Sequence, residues 1–280
     1  MNDSSFYDTK PIADLFTNAT VINADISGFT AWSSTCEPTQ VFILLETIYR
    51  AFDEIAAKRR IYKVETVGDC YVAVSGVPDP RRDHAVAMAR FAMDCMNRMN
   101  VLTRKLEVML GPDTADLKLR VGIHSGPVTA GVLRGERSRF QLFGDTMNTA
   151  SRMESNGIPG KIQISEETAA LLRETGKETW FHPRAEKIVA KGKGSLQTYW
   201  LERNKSSSYA RSERSSTDNS SLGDDERAVS LLQVDQLALN SKQMRLVQWN
   251  VEVLGSLLKM LIVHLMDDDG SQKRVLKRTK

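Results

Sequence analysis

The sequence IYKVETVGDCYVAVS, residues 61–75, contains the pattern that decides the fold. Within it, two runs rich in β-branched and aromatic residues, 61–66 and 71–75, flank Gly68 and Asp69. Runs of this kind on either side of a glycine-containing turn predict a tight β-hairpin. We therefore expect two adjacent antiparallel strands with Asp69 at their turn.

The segments on both sides of the hairpin extend it to a βαββαβ order. Before it, residues 19–24 (ATVINA) predict a strand and residues 39–58 predict a helix. After it, residues 82–109 carry small and flexible apolar side chains at helical spacing, and residues 117–123 predict another strand. This order predicts a ferredoxin-like α+β fold. In that topology the first and third strands are antiparallel neighbours, so the end of the first lies beside the start of the third.

This topology places Asp25, which follows the first strand, next to Asp69. Two carboxylates so close repel each other unless a cation lies between them, and their hard oxygen atoms suit Mg²⁺ or Mn²⁺. Taken singly, each residue has an ordinary structural explanation, Asp25 as a cap before Gly28 and Asp69 as a turn residue. Together they favour a metal site.

The chain has 280 residues, of which 41% are apolar and 26% charged, as in soluble globular proteins. This length predicts one or two domains. Eight serines and almost no apolar side chains in residues 205–221 predict a flexible linker. We predict a lead-in at 1–17, a folded body at 18–202, a linker at 203–228, an amphipathic helical segment at 229–266 and a charged tail at 267–280.

Apolar residues in the amphipathic segment recur at helical spacing. The stripe consists of Val247, Val251, Leu254, Leu258, Leu261 and Leu265. Because a helix with such a stripe needs apolar cover, we expect a partner helix or a downstream domain to contact residues 229–266.

Composition also excludes several classes of protein. No uncharged apolar run approaches the roughly 18 residues of a membrane span, and the first ten residues lack the layout of a signal peptide. The three cysteines have no C-x-x-C spacing, which argues against a disulfide framework and a zinc site. A net charge of +3, dispersed along the chain, gives no indication of nucleic acid as a partner. We expect a cytoplasmic protein, or a membrane-associated one if the chain is a fragment of a receptor.

Four motifs in this order resemble the catalytic domain of class III nucleotide cyclases, most closely guanylate cyclases of algal and protist type. They are ADISGFT (24–30), KVETVGDCY (63–71), LRVGIHSGPV (119–128) and FGDTMNTASRMES (143–155). The resemblance extends from about residue 18 to residue 201. It implies a homodimer with active sites at the subunit interface, which converts a nucleoside triphosphate into a 3′,5′-cyclic nucleotide and pyrophosphate in cyclic-nucleotide signalling.

The resemblance also implies roles for individual residues. Asp25 and Asp69, with the backbone carbonyl of Ile26, would hold two Mg²⁺ or Mn²⁺ ions in each active site. One ion would activate the ribose 3′-hydroxyl and the other would neutralise the triphosphate. Asn148 and Arg152, four residues apart on one predicted helix, would orient the ribose and stabilise charge on the transferring phosphoryl group.

Three further positions would contact the nucleotide. Lys191, in the loop AKGKGSL, matches a family lysine that reaches the triphosphate, although strings of this type are also common in solvated turns. Glu65 and Gln141 match the two family positions that read the purine. A glutamate accepts from the N1–H and amino groups of guanine, whereas the amide of Gln141 suits either base. GTP is therefore the expected substrate.

Three alternatives remain open from the sequence. The domain could be an adenylate cyclase that uses ATP. It could be a catalytically silent, dimerising nucleotide-binding module, although no metal or transition-state residue is missing. The body could also serve to dimerise a tail that binds a partner helix, because of the amphipathic stripe from Val247 to Leu265. Separately, residues 245–259 resemble, more weakly, a connector found before cyclic-nucleotide phosphodiesterases in algal and protist proteins.

Overall fold

The structure, a computed structural model, describes residues 12–133, 139–190 and 194–202, together with residues 244, 247, 251, 254, 255, 258 and 259. The chain divides into two compact units. The first comprises Met1–Thr103 and Leu117–Ser206, and the second comprises Arg104–Asp116 and Ser207–Lys280. The predicted linker at 203–228 and charged tail at 267–280 lie outside the described residues. Of the predicted helical segment, the seven described residues are all in helical conformation.

Six elements form the expected βαββαβ unit, and a short helix follows its first strand. The six elements are β1 (Ile12–Ser27), α2 (Pro38–Arg59), β2 (Tyr62–Val67), β3 (Cys70–Ser75), α3 (His84–Leu110) and β4 (Lys118–Leu133), and the short helix is α1 (Phe29–Ser33). Their strands lie in the order β2-β3-β1-β4, as in a ferredoxin-like sheet. The ferredoxin-like prediction is therefore confirmed.

The remaining elements extend this sheet. They are β5 (Arg139–Phe143), α4 (Asp145–Ser155), β6 (Ile162–Ser165), α5 (Glu166–Glu174), β7 (Phe181–Pro183), β8 (Ile188–Ala190), β9 (Gly194–Leu196) and β10 (Thr198–Leu201). The strands β6, β10 and β7 continue the sheet beyond β4, β5 pairs with β4, and β8 pairs with β9 in a separate hairpin.

Local sequence explains where α2 begins and ends. Glu37 caps the helix, its backbone N–H donates a hydrogen bond to Gln40 Oε1, and Pro38 lies in the first turn. At the other end Arg60 adopts a left-handed conformation with a φ of 54°. These two features fix the helix that lies beside the hairpin.

The strand β1 is much longer than residues 19–24, and it begins inside the predicted lead-in. It pairs with β4 from Ile12 opposite Val132 to Ser27 opposite Lys118, with one register shift between Phe16 and Ala19. The partner strand β4 likewise continues past residue 123 to Leu133. Pairing between two long strands satisfies backbone groups that neither segment could satisfy alone, which is why local sequence underestimated both lengths.

The centre of the first unit is a layer of apolar side chains between the sheet and α4. It includes residues of β1, β3, β4, β5 and α4: Ala19, Val21, Val74, Val128, Ala130, Leu142 and Ala150. Among the described residues, no helix is sufficiently long and apolar to cross a bilayer.

Candidate active site

Two acidic residues meet where β1 ends and β3 begins. The antiparallel register places Asp25 opposite Cys70, the residue after Asp69. The carboxylate of Asp69 is close enough to Asp25 to contribute to raising its pKa. Gly28, with a φ of 90°, then turns the chain from β1 directly into α1. The topology therefore brings together the two carboxylates that the sequence identified.

The charges around Asp25 make it an unusually weak acid. Burial and the neighbouring carboxylates of Asp69 and Glu154 raise the pKa of Asp25 to about 6, although Arg120 opposes the shift. Ionisation of both carboxylates creates a repulsion that a bound cation would relieve. The pair therefore has the electrostatics of a cation site.

Arg120 and Glu154 complete this cluster, and the sequence interpretation did not identify either of them. Arg120 lies opposite Asp25 in the β1–β4 register, and its Nη2 donates to Asp25 Oδ2 at 3.0 Å. Its Nε donates to Glu154 Oε1 at 2.5 Å. Burial raises the pKa of Glu154 above its usual value, and the contact with Arg120 opposes this shift. Both residues lie in the quoted motifs, but only strand register and helix packing show that they meet.

The residues present fit a divalent cation. Asp25 and Asp69 supply hard oxygen ligands, and Ile26, whose side chain is 1% exposed, has a backbone held inside the core. In the described part of the chain, no group of three or more His, Cys, Asp or Glu side chains has metal-binding geometry. A metal at this pair would therefore complete its coordination with the Ile26 carbonyl, water or substrate phosphate, as Mg²⁺ commonly does.

The helix α4 carries Glu154 on its buried side and Asn148 on its exposed side, while Arg152 is half-buried. It packs very closely on β4 at Gly122. A Cβ atom at this glycine would lie 2.0 Å from the backbone nitrogen of Glu154. Only a glycine lets the helix lie at this depth, and this depth brings Glu154 to Arg120.

The two predicted base-reading residues lie on β2 and β5, which do not pair in the sheet but contact each other through their side chains. Glu65 is exposed on β2, and Gln141 is half-buried on β5 opposite Gly131. The rings of Tyr62 on β2 and Phe140 on β5 pack edge to face with centroids 5.3 Å apart, which brings the two strands together. Lys191 lies outside the described residues.

Comparison with known proteins agrees with this fold. The family profile described as the adenylate and guanylate cyclase catalytic domain matches residues 13–203. Receptor-type guanylate cyclase gcy-28 of Caenorhabditis elegans is 43% identical over 190 residues, which cover 68% of this chain and 14% of that protein. Guanylate cyclase soluble subunit beta-2 of Rattus norvegicus is 40% identical over 196 residues, which cover 70% of this chain and 27% of that protein.

Solved structures give the same result. The guanylate cyclase domain of RhGC from Catenaria anguillulae, in complex with GTP, has a TM-score of 0.60 and 36% identity, and the match covers 67% of this chain and 97% of that chain. The adenylyl cyclase CyaB from P. aeruginosa has a TM-score of 0.61 and 28% identity, covering 68% and 96% of the two chains. This chain spans only 14% and 27% of the two sequence relatives. From the long strand β1 to the end of β10, it belongs to the family of adenylate and guanylate cyclase catalytic domains.

Proposed function

We propose that this chain converts GTP into 3′,5′-cyclic GMP and pyrophosphate with the help of two divalent ions. The observation that carries the proposal is the acidic pair Asp25 and Asp69, which the β1–β3 register brings together in a domain of the cyclase family. Bound Mg²⁺ or Mn²⁺ would supply Lewis-acid activation of the ribose hydroxyl and neutralise the phosphates. No nucleophile from the protein is needed, because the substrate's own hydroxyl attacks the α-phosphorus.

The chain's own residues would bind and orient the nucleotide. Asp25, Asp69 and the carbonyl of Ile26 would hold the ions, and Asn148 would orient the ribose. The guanidinium of Arg152 would stabilise negative charge on the transferring phosphoryl group. Lys191 is proposed to contact the triphosphate.

Base choice favours GTP over ATP. The carboxylate of Glu65 would accept hydrogen bonds from guanine N1–H and the amino group, and Gln141 would donate one to O6. The first relatives named above are guanylate cyclases. The adenylyl cyclase CyaB supports ATP as the alternative. A catalytically silent module is less consistent with the presence of both acidic residues and the Asn148/Arg152 pair.

We also propose that the domain acts as a homodimer, because both sets of residues lie on one chain. A solved guanylyl cyclase domain from Blastocladiella emersonii, 34% identical with a TM-score of 0.59, is described as a non-canonical dimer.

A partner helix is proposed for residues 229–266. In this segment five described helical residues, spaced by three or four, are more than half exposed: Met244, Val247, Val251, Leu254 and Leu258.

The test is an assay of the purified chain with Mn²⁺ or Mg²⁺ and either GTP or ATP, followed by identification of the cyclic product. We expect cyclic GMP, its loss on chelation of the metal, and no turnover by Asp25→Ala or Asp69→Ala in folded protein. A preference for ATP would replace the guanylate assignment by an adenylate one. Binding of GTP without any cyclic product would favour the silent module.

A further inference from the structure

The hairpin that carries Glu65 and Asp69 is buried along β3 but exposed at the turn end of β2. Its first strand, β2, is at the edge of the sheet and pairs with β3. The last three residues of β2 are exposed. An open cavity of about 770 Å³ lies between this end of the hairpin and α2, with Thr66 and Gly68 among its lining residues. Polar contacts therefore add to the packing of Tyr71 on Phe52 and Phe91 in holding this end of the hairpin.

One carboxylate of α2 contacts both strands of the hairpin. The hydroxyl of Tyr71 donates to Asp53 Oδ1 at 2.8 Å, and Lys63 Nζ donates to Asp53 Oδ2 at 2.9 Å. Lys63 lies two residues before Glu65, and Tyr71 lies two residues after Asp69. Asp53 thus holds β2 just before the base-reading position and β3 just after the metal-binding position.

The strand β2 contains a β-bulge between these points. Lys63 lies opposite Ala73, but Glu65 lies opposite Val72, so Val64 is an extra residue. In a regular strand, residues two apart, such as Lys63 and Glu65, lie on the same face of the sheet. With this bulge, Lys63 shares a face with Ala73, and Glu65 lies on the opposite face with Val72.

We propose that Asp53 is a positioning residue that sets the direction of Glu65 and the place of Asp69. The ion pair with Lys63 anchors β2 immediately before the bulge at Val64. The hydrogen bond from Tyr71 anchors β3. This inference rests on the proposed function, because it takes Glu65 to read the base and Asp69 to bind metal.

Three substitutions separate the parts of this arrangement. Asp53→Asn keeps the size of the side chain but removes the negative charge that faces Lys63. Lys63→Met releases only β2, so it should weaken base discrimination. Tyr71→Phe releases only β3, so it should raise the Mn²⁺ concentration needed for half-maximal nucleotide binding.

A matched control is the ion pair that Asp94 of α3 forms with Arg59 of α2. Asp94→Asn breaks the ion pair between Asp94 and Arg59, which joins α2 to α3 away from the hairpin. The side chain of Asp94 is 40% exposed and that of Asp53 is 45% exposed, so the two pairs are comparable in exposure. Asp94→Asn should leave base discrimination unchanged.

The experiment measures binding without turnover. Calorimetry in the presence of Mn²⁺ gives the affinities for 3′-deoxy-GTP and 3′-deoxy-ATP, which lack the attacking hydroxyl. We expect Asp53→Asn to lower the ratio of the two affinities by about threefold or more, the scale of a half-exposed ion pair. If Asp53 had a purely structural role, its loss would reduce the fraction of protein able to bind either analogue by the same amount. The ratio of the two affinities would then be unchanged.

A ratio within about twofold of wild type in folded Asp53→Asn would overturn the proposal. If that variant does not fold, Lys63→Met decides the question by the same ratio. Failure of the proposed function would look different: the wild-type chain would form no cyclic GMP, or would prefer ATP, whatever residue 53 is.

Discussion

We predict that base choice depends on the hydrogen-bonding character of one exposed side chain, Glu65. Glu65→Lys replaces acceptors by donors, which removes the partner of guanine N1–H and supplies one to adenine N1. A hydrogen bond to a charged group contributes about 1.5–3 kcal/mol, so the ratio of kcat/KM for GTP to that for ATP should fall at least about tenfold. Steady-state kinetics with both nucleotides measures this ratio, and Glu65→Gln is the size-matched control. An unchanged ratio would mean that another residue reads the base.

The raised pKa of Asp25 predicts how stability changes with pH. Its folded-state pKa of about 6 exceeds the ordinary value of 3.8, so the folded chain holds this proton more tightly than the unfolded chain. The free energy of unfolding therefore falls as pH rises from about 4 to about 6 and stays lower above that range. A divalent ion on the ionised pair would offset this loss.

Mn²⁺ should accordingly raise the melting temperature more at about pH 7 than at about pH 5, where Asp25 is largely protonated. Thermal unfolding at the two pH values, with and without Mn²⁺, measures the difference. Asp25→Asn is the control and should show a smaller difference between the two pH values. Equal Mn²⁺ effects at both pH values in the wild type would contradict metal binding by this pair.

The contact between β4 and α4 sets the depth of the helix that carries Asn148, Arg152 and Glu154. Because a Cβ at residue 122 would lie 2.0 Å from one backbone atom of α4 and 2.5 Å from another, side-chain movement could not relieve the clash. Gly122→Ala should lower the free energy of unfolding by about 1–3 kcal/mol, the usual cost of overpacking. Urea denaturation measures this change.

The same substitution should also lower cyclase activity, because the displaced helix carries Asn148 and Arg152. Ser151→Ala, on the exposed side of α4, is the control and should change neither property. A fully stable and active Gly122→Ala protein would mean that the close contact does not position the helix.

Homodimer assembly predicts complementation between inactive variants. If each site takes its metal carboxylates from one chain and Arg152 from the other, a dimer of Asp25→Ala with Arg152→Ala contains one intact site. Random exchange makes half of the dimers mixed, so about a quarter of wild-type activity should return. A cyclase assay after subunit exchange measures this recovery.

The control mixture combines Asp25→Ala with Asp69→Ala. Both changes affect the same side of each site, so its mixed dimers contain no intact site and should stay inactive. No recovery in the first mixture, despite demonstrated exchange of subunits, would contradict shared active sites.

Two features of the whole chain follow from sequence alone. The βαββαβ order could be predicted because turn residues and apolar spacing are local properties of each segment. The neighbourhood of Asp25 and Asp69 could be predicted because the topology fixes which strand ends meet. Family membership was predicted from four motifs, and the profile match to residues 13–203 confirms it.

Only the tertiary structure decided the details that complete the site. Arg120 reaches Asp25 across 95 residues of sequence through strand register, and Glu154 reaches Arg120 because Gly122 lets α4 lie close. The bulge at Val64 changes the face of Glu65 in a way that no local pattern indicates. These three features have one physical reason. Strand register and helix packing depth are set by the free energy of the whole sheet and its helices, whereas a sequence pattern reports the preference of one segment at a time.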